Sequence, residues 1–225
     1  YQCQPIALGV NTDAYQPAER KLKITRGILE VLLAHRHPVG IVTKSALVER
    51  DLDLLGDMAK RNLVHVMVSV TSLDKRLARS MEPRAAAPRR RLESIRRLSA
   101  AGIPVGVLVA PVVPVLNDGE IESILTEVRR AGALSAGYVM LRLPQEVKDL
   151  FRSWLQRHVP LKADHVMKRI RDIRGGNEND SQFGRRMRGT GVYAELIQKR
   201  FEIALARLSF QGMPAFDSSC FRVPR

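Results

Sequence analysis

The chain has 225 residues, 45% of them hydrophobic, which is enough to bury the core of one α/β domain of ordinary size and excludes disorder throughout. Lys and Arg number 37 against 23 Asp and Glu, a formal net charge of +14 that either marks a polyanionic partner or forms a solvated basic surface. No apolar run reaches the roughly 20 residues of a membrane span, two cysteines are too few for a disulfide framework, and 5% aromatic content argues against a stacking platform for single strands; a cytoplasmic protein without a membrane partner is expected.

Taken in chain order, the first element is Pro5 to Asp13, an apolar run that ends in Asn11, Thr12 and Asp13. Pro38 to Ser45, Leu63 to Thr71, Pro104 to Pro114 and Ser135 to Pro144 repeat that plan, each a β-branched run ending in polar residues or proline. Runs of this kind separated by helical spacing predict parallel strands covered on both faces, curled into a barrel or a doubly wound sheet, with ligands at their C-terminal ends.

Between the strands, Glu19 to His35 reads as a helix with Leu22, Ile28, Leu29 and Leu32 on one face, and Leu47 to Arg61 as another through Leu52, Leu55 and Met58. A loop with a short helix is expected over Leu73 to Pro88, then helices over Arg89 to Ala101, Gly119 to Ala131 with Asn117-Asp118 as N-cap, and Glu146 to Arg157. The predicted division is a barrel over 1–158, a helical appendage with a basic loop over 159–210, and an irregular, loose tail over 211–225.

Alternation along the strands places Val64, Val66, Val68 and Val70 toward helices, and His65, Met67, Ser69 and Thr71 toward the lumen. The same rule gathers Asn11, Asp13, Lys44, Tyr138, Met140 and Arg142 at one mouth. Asp13, Lys44 and Arg142 then either serve a ligand or form a structural ion-pair network. His65 reads as a core residue, because no second ligand stands at metal spacing near it, and His35 and His37 read as surface residues.

The phrases PIALGVNTDAYQP, HPVGIVTKSALVERDLDLL, VSVTSLDKRLARSMEPRAAAPRRRLESI, AGIPVGVLVAPVVPVLND, GYVMLRLPQEVKDLF and DSQFGRRMRGTGVYAELI, in collinear order, resemble radical S-adenosylmethionine proteins of the spore photoproduct lyase-like, or DNA repair photolyase-like, group. The resemblance implies an α/β fold, a partial TIM-type (β/α)6 barrel, here lacking its first strand. It further implies a [4Fe-4S] cluster, fed by an electron donor, that cleaves S-adenosylmethionine to a 5′-deoxyadenosyl radical for lyase or repair chemistry. The cluster is held in such proteins by a Cys-x-x-x-Cys-x-x-Cys loop after the first strand. Neither Cys3 nor Cys220 matches it, so no metal ligand is assigned here and the ligands are expected upstream of Tyr1.

By position, the resemblance assigns cofactor contacts to Asn11, Thr12, Asp13, Lys44, Ser69, Thr71, Asn117 and Arg142. Nucleic acid or another anionic molecule is the expected substrate. Arg185, Arg186 and Arg188, flanked by Gly184 and Gly189, either grip its phosphates or pair with Glu178 and Asp180. Two other readings stay open: a non-catalytic basic nucleic-acid-binding module derived from the same barrel, and an unrelated TIM-barrel enzyme with a phosphate site.

Overall fold

The five β-branched runs become five strands: β1 (Ile6–Leu8), β2 (Val39–Thr43), β3 (Val64–Ser69), β4 (Val105–Val112) and β5 (Ser135–Met140). The structure, a computed structural model, describes residues 1–223; positions 224 and 225 of the expected tail lie outside the described residues. All neighbours pair parallel in the order β1-β2-β3-β4-β5, the sequential order of a partial barrel. Among the described residues β1 has a partner on one side only, which makes it an edge. The chain leaves β1 at Gly9, whose positive φ and closeness to the Val42 carbonyl leave no room for a Cβ.

The crossovers carry α1 (Glu19–Leu22), α2 (Ile24–Ala34), α3 (Leu52–Ala59), α4 (Lys75–Met81), α5 (Pro88–Ala100) and α6 (Ile121–Arg130). After β5 come α7 (Val147–His158), α8 (Ala163–Asp172) and α9 (Val192–Arg207). One continuous helix was expected over Glu19 to His35, but Lys23 adopts a left-handed backbone and splits it. The Glu19 carboxylate turns back to accept from Ile24 N (3.1 Å) and Thr25 N (3.0 Å), capping α2. The break shifts the helical phase, so Leu29 and Leu32 are buried while Leu22 and Ile28 are exposed.

The main core joins the outward faces of the strands to α2, α3, α5, α6 and α9. Val64, Val66, Val68 and Val70 all lie in it, as alternation predicts, and each such buried side chain is worth about 1.5–3 kcal/mol. A smaller cluster, built on Val113, Leu141 and Leu143, holds α7 and α8 over the ends of β4 and β5.

Residues 211–223 form no helix or strand, yet they are not loose. Gly212 N donates to Leu134 O (3.0 Å), Asp217 N to Asn62 O (3.0 Å) and Arg222 N to His35 O (2.8 Å), which straps it across the N-terminal ends of the strands. Phe216 stacks on His65 with ring centroids 3.8 Å apart, and Phe221 packs against His37 and Tyr1. His37, expected at the surface, is therefore buried. An aperiodic sequence gives no amphipathic signal, but its aromatic rings still find apolar cover.

Candidate active site at the barrel mouth

At the C-terminal ends of β1 and β2, Asp13 is the organising group. Its Oδ1 accepts from Tyr15 N (2.9 Å) and Thr43 Oγ1 (2.7 Å), and its Oδ2 from Lys44 N (2.8 Å). A carboxylate has about four acceptor positions, so one remains for a ligand donor. Asn11 and Thr12 sit beside it, exposed in the bend that leaves β1.

Lys44 lies across the mouth with Nζ 2.5 Å from Glu82 Oε1. Glu82, in the loop after α4, was not among the residues singled out from sequence. Its other oxygen takes Arg91 Nη2 at 2.7 Å, and the Thr71 hydroxyl lies 3.0 Å from Oε1. Burial alone would raise the Glu82 carboxyl, but the Arg91 and Lys44 charges outweigh it and hold the group below its ordinary value. Arg91 is itself buried and also donates to Ser69 O (2.9 Å). The network thus binds β2, β3 and α5 together around one carboxylate. Of the expected ion pairs, Lys44 belongs to this one, and neither Asp13 nor Arg142 does.

Ser69 and Thr71 are both buried at the end of β3, where Thr71 Oγ1 is also 2.9 Å from Ala110 O. Asn117 departs from the helix-cap role expected of it. It makes no side-chain cap at the 3-10 turn Asp118–Glu120 before α6. Its amide donates to Thr71 O (2.7 Å) and Pro111 O (2.9 Å), and its oxygen accepts from Val113 N (2.6 Å). Buried and fully engaged, it locks the loop after β4 rather than presenting a free amide.

β5 corrects the alternation. Tyr138 packs on Phe201 of α9, with centroids 4.8 Å apart, and so faces the helices, not the lumen; Met140 joins the same core. Arg142, just beyond β5, has a buried Nε with no partner among the described residues, and its charge, after desolvation, helps hold the Arg174 guanidinium below its ordinary value. A phenol on a strand looks like a lumen group in sequence, but its ring area is better buried against a helix.

The basic loop is largely engaged with itself and its neighbours. Arg174 donates to the carbonyls of Arg186 (3.0 Å) and Leu141 (2.8 Å). The Arg188 guanidinium lies 4.1 Å from the Tyr138 ring centre, Arg186 lies over Phe183, and Arg185 Nε is 3.4 Å from Asp180. Glu178 is taken by Arg152 (2.5 Å) and Arg171 (3.3 Å).

A cleft of about 690 Å³ opens at the same mouth, over the ends of β1 and β2 and beneath the loop before α5. Asp13 and Lys44 form part of its wall. Among the described residues no three His, Cys, Asp or Glu side chains gather as a metal site, and Cys3 and Cys220 are single free thiols. These residues do not fit a [4Fe-4S] cluster. Among the described residues no helix is long and apolar enough to cross a membrane.

Several known proteins are similar to this chain. An uncharacterized protein of Mycobacterium tuberculosis is 38% identical over 159 residues, 70% of this chain and 47% of its own length. One of Methanocaldococcus jannaschii is 31% identical over 149 residues, 66% of this chain and 54% of its own. The chain thus spans about half the length of these relatives. Among solved structures, a single-residue variant of spore photoproduct lyase superposes with a TM-score of 0.63 at 14% identity, covering 93% of this chain and 60% of that one. Another variant, holding a dinucleoside spore photoproduct, gives 0.60 at 14% identity, with the same coverage of both chains. The profile of the radical SAM superfamily matches residues 4–128, more than half of the sequence. By that match, and by the parallel sheet whose polar ends meet at one mouth, the chain belongs to the radical SAM superfamily.

Proposed function

We propose that the mouth binds the amino-acid end of S-adenosylmethionine, in service of radical lyase or repair chemistry on a nucleic acid or another anionic substrate. The observation that carries this reading is the pairing of Asp13, which keeps one acceptor position, with the ammonium of Lys44 at the same end of the sheet. A zwitterionic amino acid needs an acceptor for its ammonium and a cation for its carboxylate, and these two residues fit it. Thr43 and the Lys44 backbone orient Asp13, while Glu82 fixes the direction of Lys44. Ser69 and Thr71 line the neighbouring strand end, and exposed Asn11 and Thr12 are free to close on the ligand.

S-adenosylmethionine held there by Asp13 and Lys44 would, on one-electron reduction by a [4Fe-4S] cluster, yield methionine and supply a 5′-deoxyadenosyl radical. In this reading the cluster's thiolates and its electron donor come from outside the described residues, and a reducing, cytoplasmic setting suits that chemistry.

Calorimetric titration of the 225-residue chain with S-adenosylmethionine tests the reading. Saturable binding is expected, weakened about tenfold or more by Asp13→Ala, which removes a charge-assisted hydrogen bond. Absence of binding, or equal binding by the variant, would sink it. The second reading, a basic nucleic-acid-binding barrel without radical chemistry, draws on the missing cluster ligands and predicts that outcome.

A further inference from the structure

The cleft at the mouth has a wall that the cofactor reading does not use. Besides Asp13 and Lys44, it is lined by Arg20 from α1, Arg84 from the loop before α5, and Arg90 from the first turn of α5. Four cations thus face one carboxylate, whose oxygens already accept three hydrogen bonds. Arg90 is paired with Glu49, and Lys44 with Glu82, yet neither of those glutamates lines the cleft. Arg20 and Arg84 are exposed and have no ion-pair partner among the described residues.

We propose that this cleft is a binding site for a phosphate ester, gripped by Arg20 and Arg84. The inference rests on the proposed function only in placing a substrate beside the cofactor residues. A wall on which four cations outnumber one carboxylate carries a net positive field that draws in an anion. Two unpaired guanidiniums, backed by Arg90 and Lys44, exceed what a single carboxylate needs, since one arginine fork already satisfies it. They match the several oxygens and higher charge of a phosphate. Pro17, Leu47, Ala85 and Ala86 give the wall an apolar part, beside polar Gln16 and Ser45, that suits the uncharged part of a nucleotide. About 690 Å³ lies within the usual size of a small-ligand site.

The contrast with the 185–188 loop is what selects this place. There the guanidiniums lie on aromatic rings or beside Asp180. Here two of them have nothing to hold.

The test uses the 225-residue chain, with a short fluorescein-labelled oligothymidylate followed by anisotropy across salt concentrations and unlabelled AMP followed by calorimetry. The variants are Arg20→Gln with Arg84→Gln, and, for comparison, the triple Arg185→Ala, Arg186→Ala, Arg188→Ala. Thermal unfolding should be unchanged in the double variant, because neither side chain makes a contact that holds the fold. The double variant should bind about tenfold more weakly per lost guanidinium. Its salt slope for the oligonucleotide should fall by roughly 0.7 per lost phosphate contact. The triple variant should bind much as wild type does.

Loss of oligonucleotide binding alone identifies the ester as part of a strand, loss of AMP binding alone as a free nucleotide, and loss of both as either; each supports the site. Failure of wild type to bind either probe, or equal affinity and slope in the double variant, would overturn it. Titration with S-adenosylmethionine is read separately, so this inference can fail while the cofactor reading stands, and the reverse.

Discussion

Two arginine-rich stretches look alike in the sequence, residues 84–97 and residues 174–188, and the structure uses their charge in opposite ways. In the first, Arg90, Arg91 and Arg97 are held by Glu49 and Glu82, side chains from other parts of the fold, and Arg84 remains open to the cleft. In the second, Asp180 supplies a carboxylate to Arg185, and the buried guanidinium of Arg174 gives its Nη hydrogens to main-chain carbonyls while its Nε has no partner among the described residues. Clustered arginines therefore say little about anion binding. The acceptors that the fold brings to them decide it.

The sharpest way to break this comparison is Glu82→Ala. It would strand Arg91, almost wholly buried, and Lys44 without their shared carboxylate, and a buried pair broken on one side costs about 3–5 kcal/mol. Chemical denaturation should show a loss of that size. The pH dependence has a defined sign. A carboxyl held below its ordinary value stabilises the fold fully above the unfolded value of about 4.3 and loses that contribution as pH falls through the lower folded value. The difference in melting temperature between wild type and variant should thus be constant near neutrality and narrow below about pH 4. A gap that widens on acidification would show that Glu82 does not act as an ionised partner.

Next in size is Arg174→Met, which removes the charge but keeps most of the stem. Losing hydrogen bonds from a charged donor should cost about 2–3 kcal/mol, and the loop it tethers should become the first site of tryptic cleavage, at Arg185 or Arg186. An unchanged digestion pattern would mean that the loop is held by something else. The smallest effect is expected for Arg188→Ala. An exposed guanidinium over Tyr138 is worth about 0.5 kcal/mol, so a loss beyond about 2 kcal/mol would place Arg188 with the tethers rather than the ornaments of this loop.

The sheet was legible because its strands are unbroken β-branched runs, and a parallel strand buried on both faces leaves that mark. The mouth was legible where polar residues end such runs, as at Asp13, Lys44, Ser69 and Thr71. Alternation holds along β5, but it does not say which face is inside: Tyr138 pairs with Val109 on the helix side of the sheet, and a large ring gains more from Phe201 than from the lumen. Asn117 was assigned to the cofactor by the resemblance alone, and the three backbone groups that its amide satisfies left no mark in the sequence. Glu82 gave no signal at all. Its partners lie on β2 and α5, and a carboxylate in an irregular loop acquires meaning only when long-range packing delivers two cations to it.

The strap beneath the sheet ties the last part of the described chain to much earlier parts. Residues 212–222 follow the described strands and helices in sequence, yet they reach back to His35, Asn62 and Leu134. Contacts this distant in sequence slow folding. Phe216 is the clasp of the strap: without its ring the lower face of His65 and the strand ends beside it would stand uncovered.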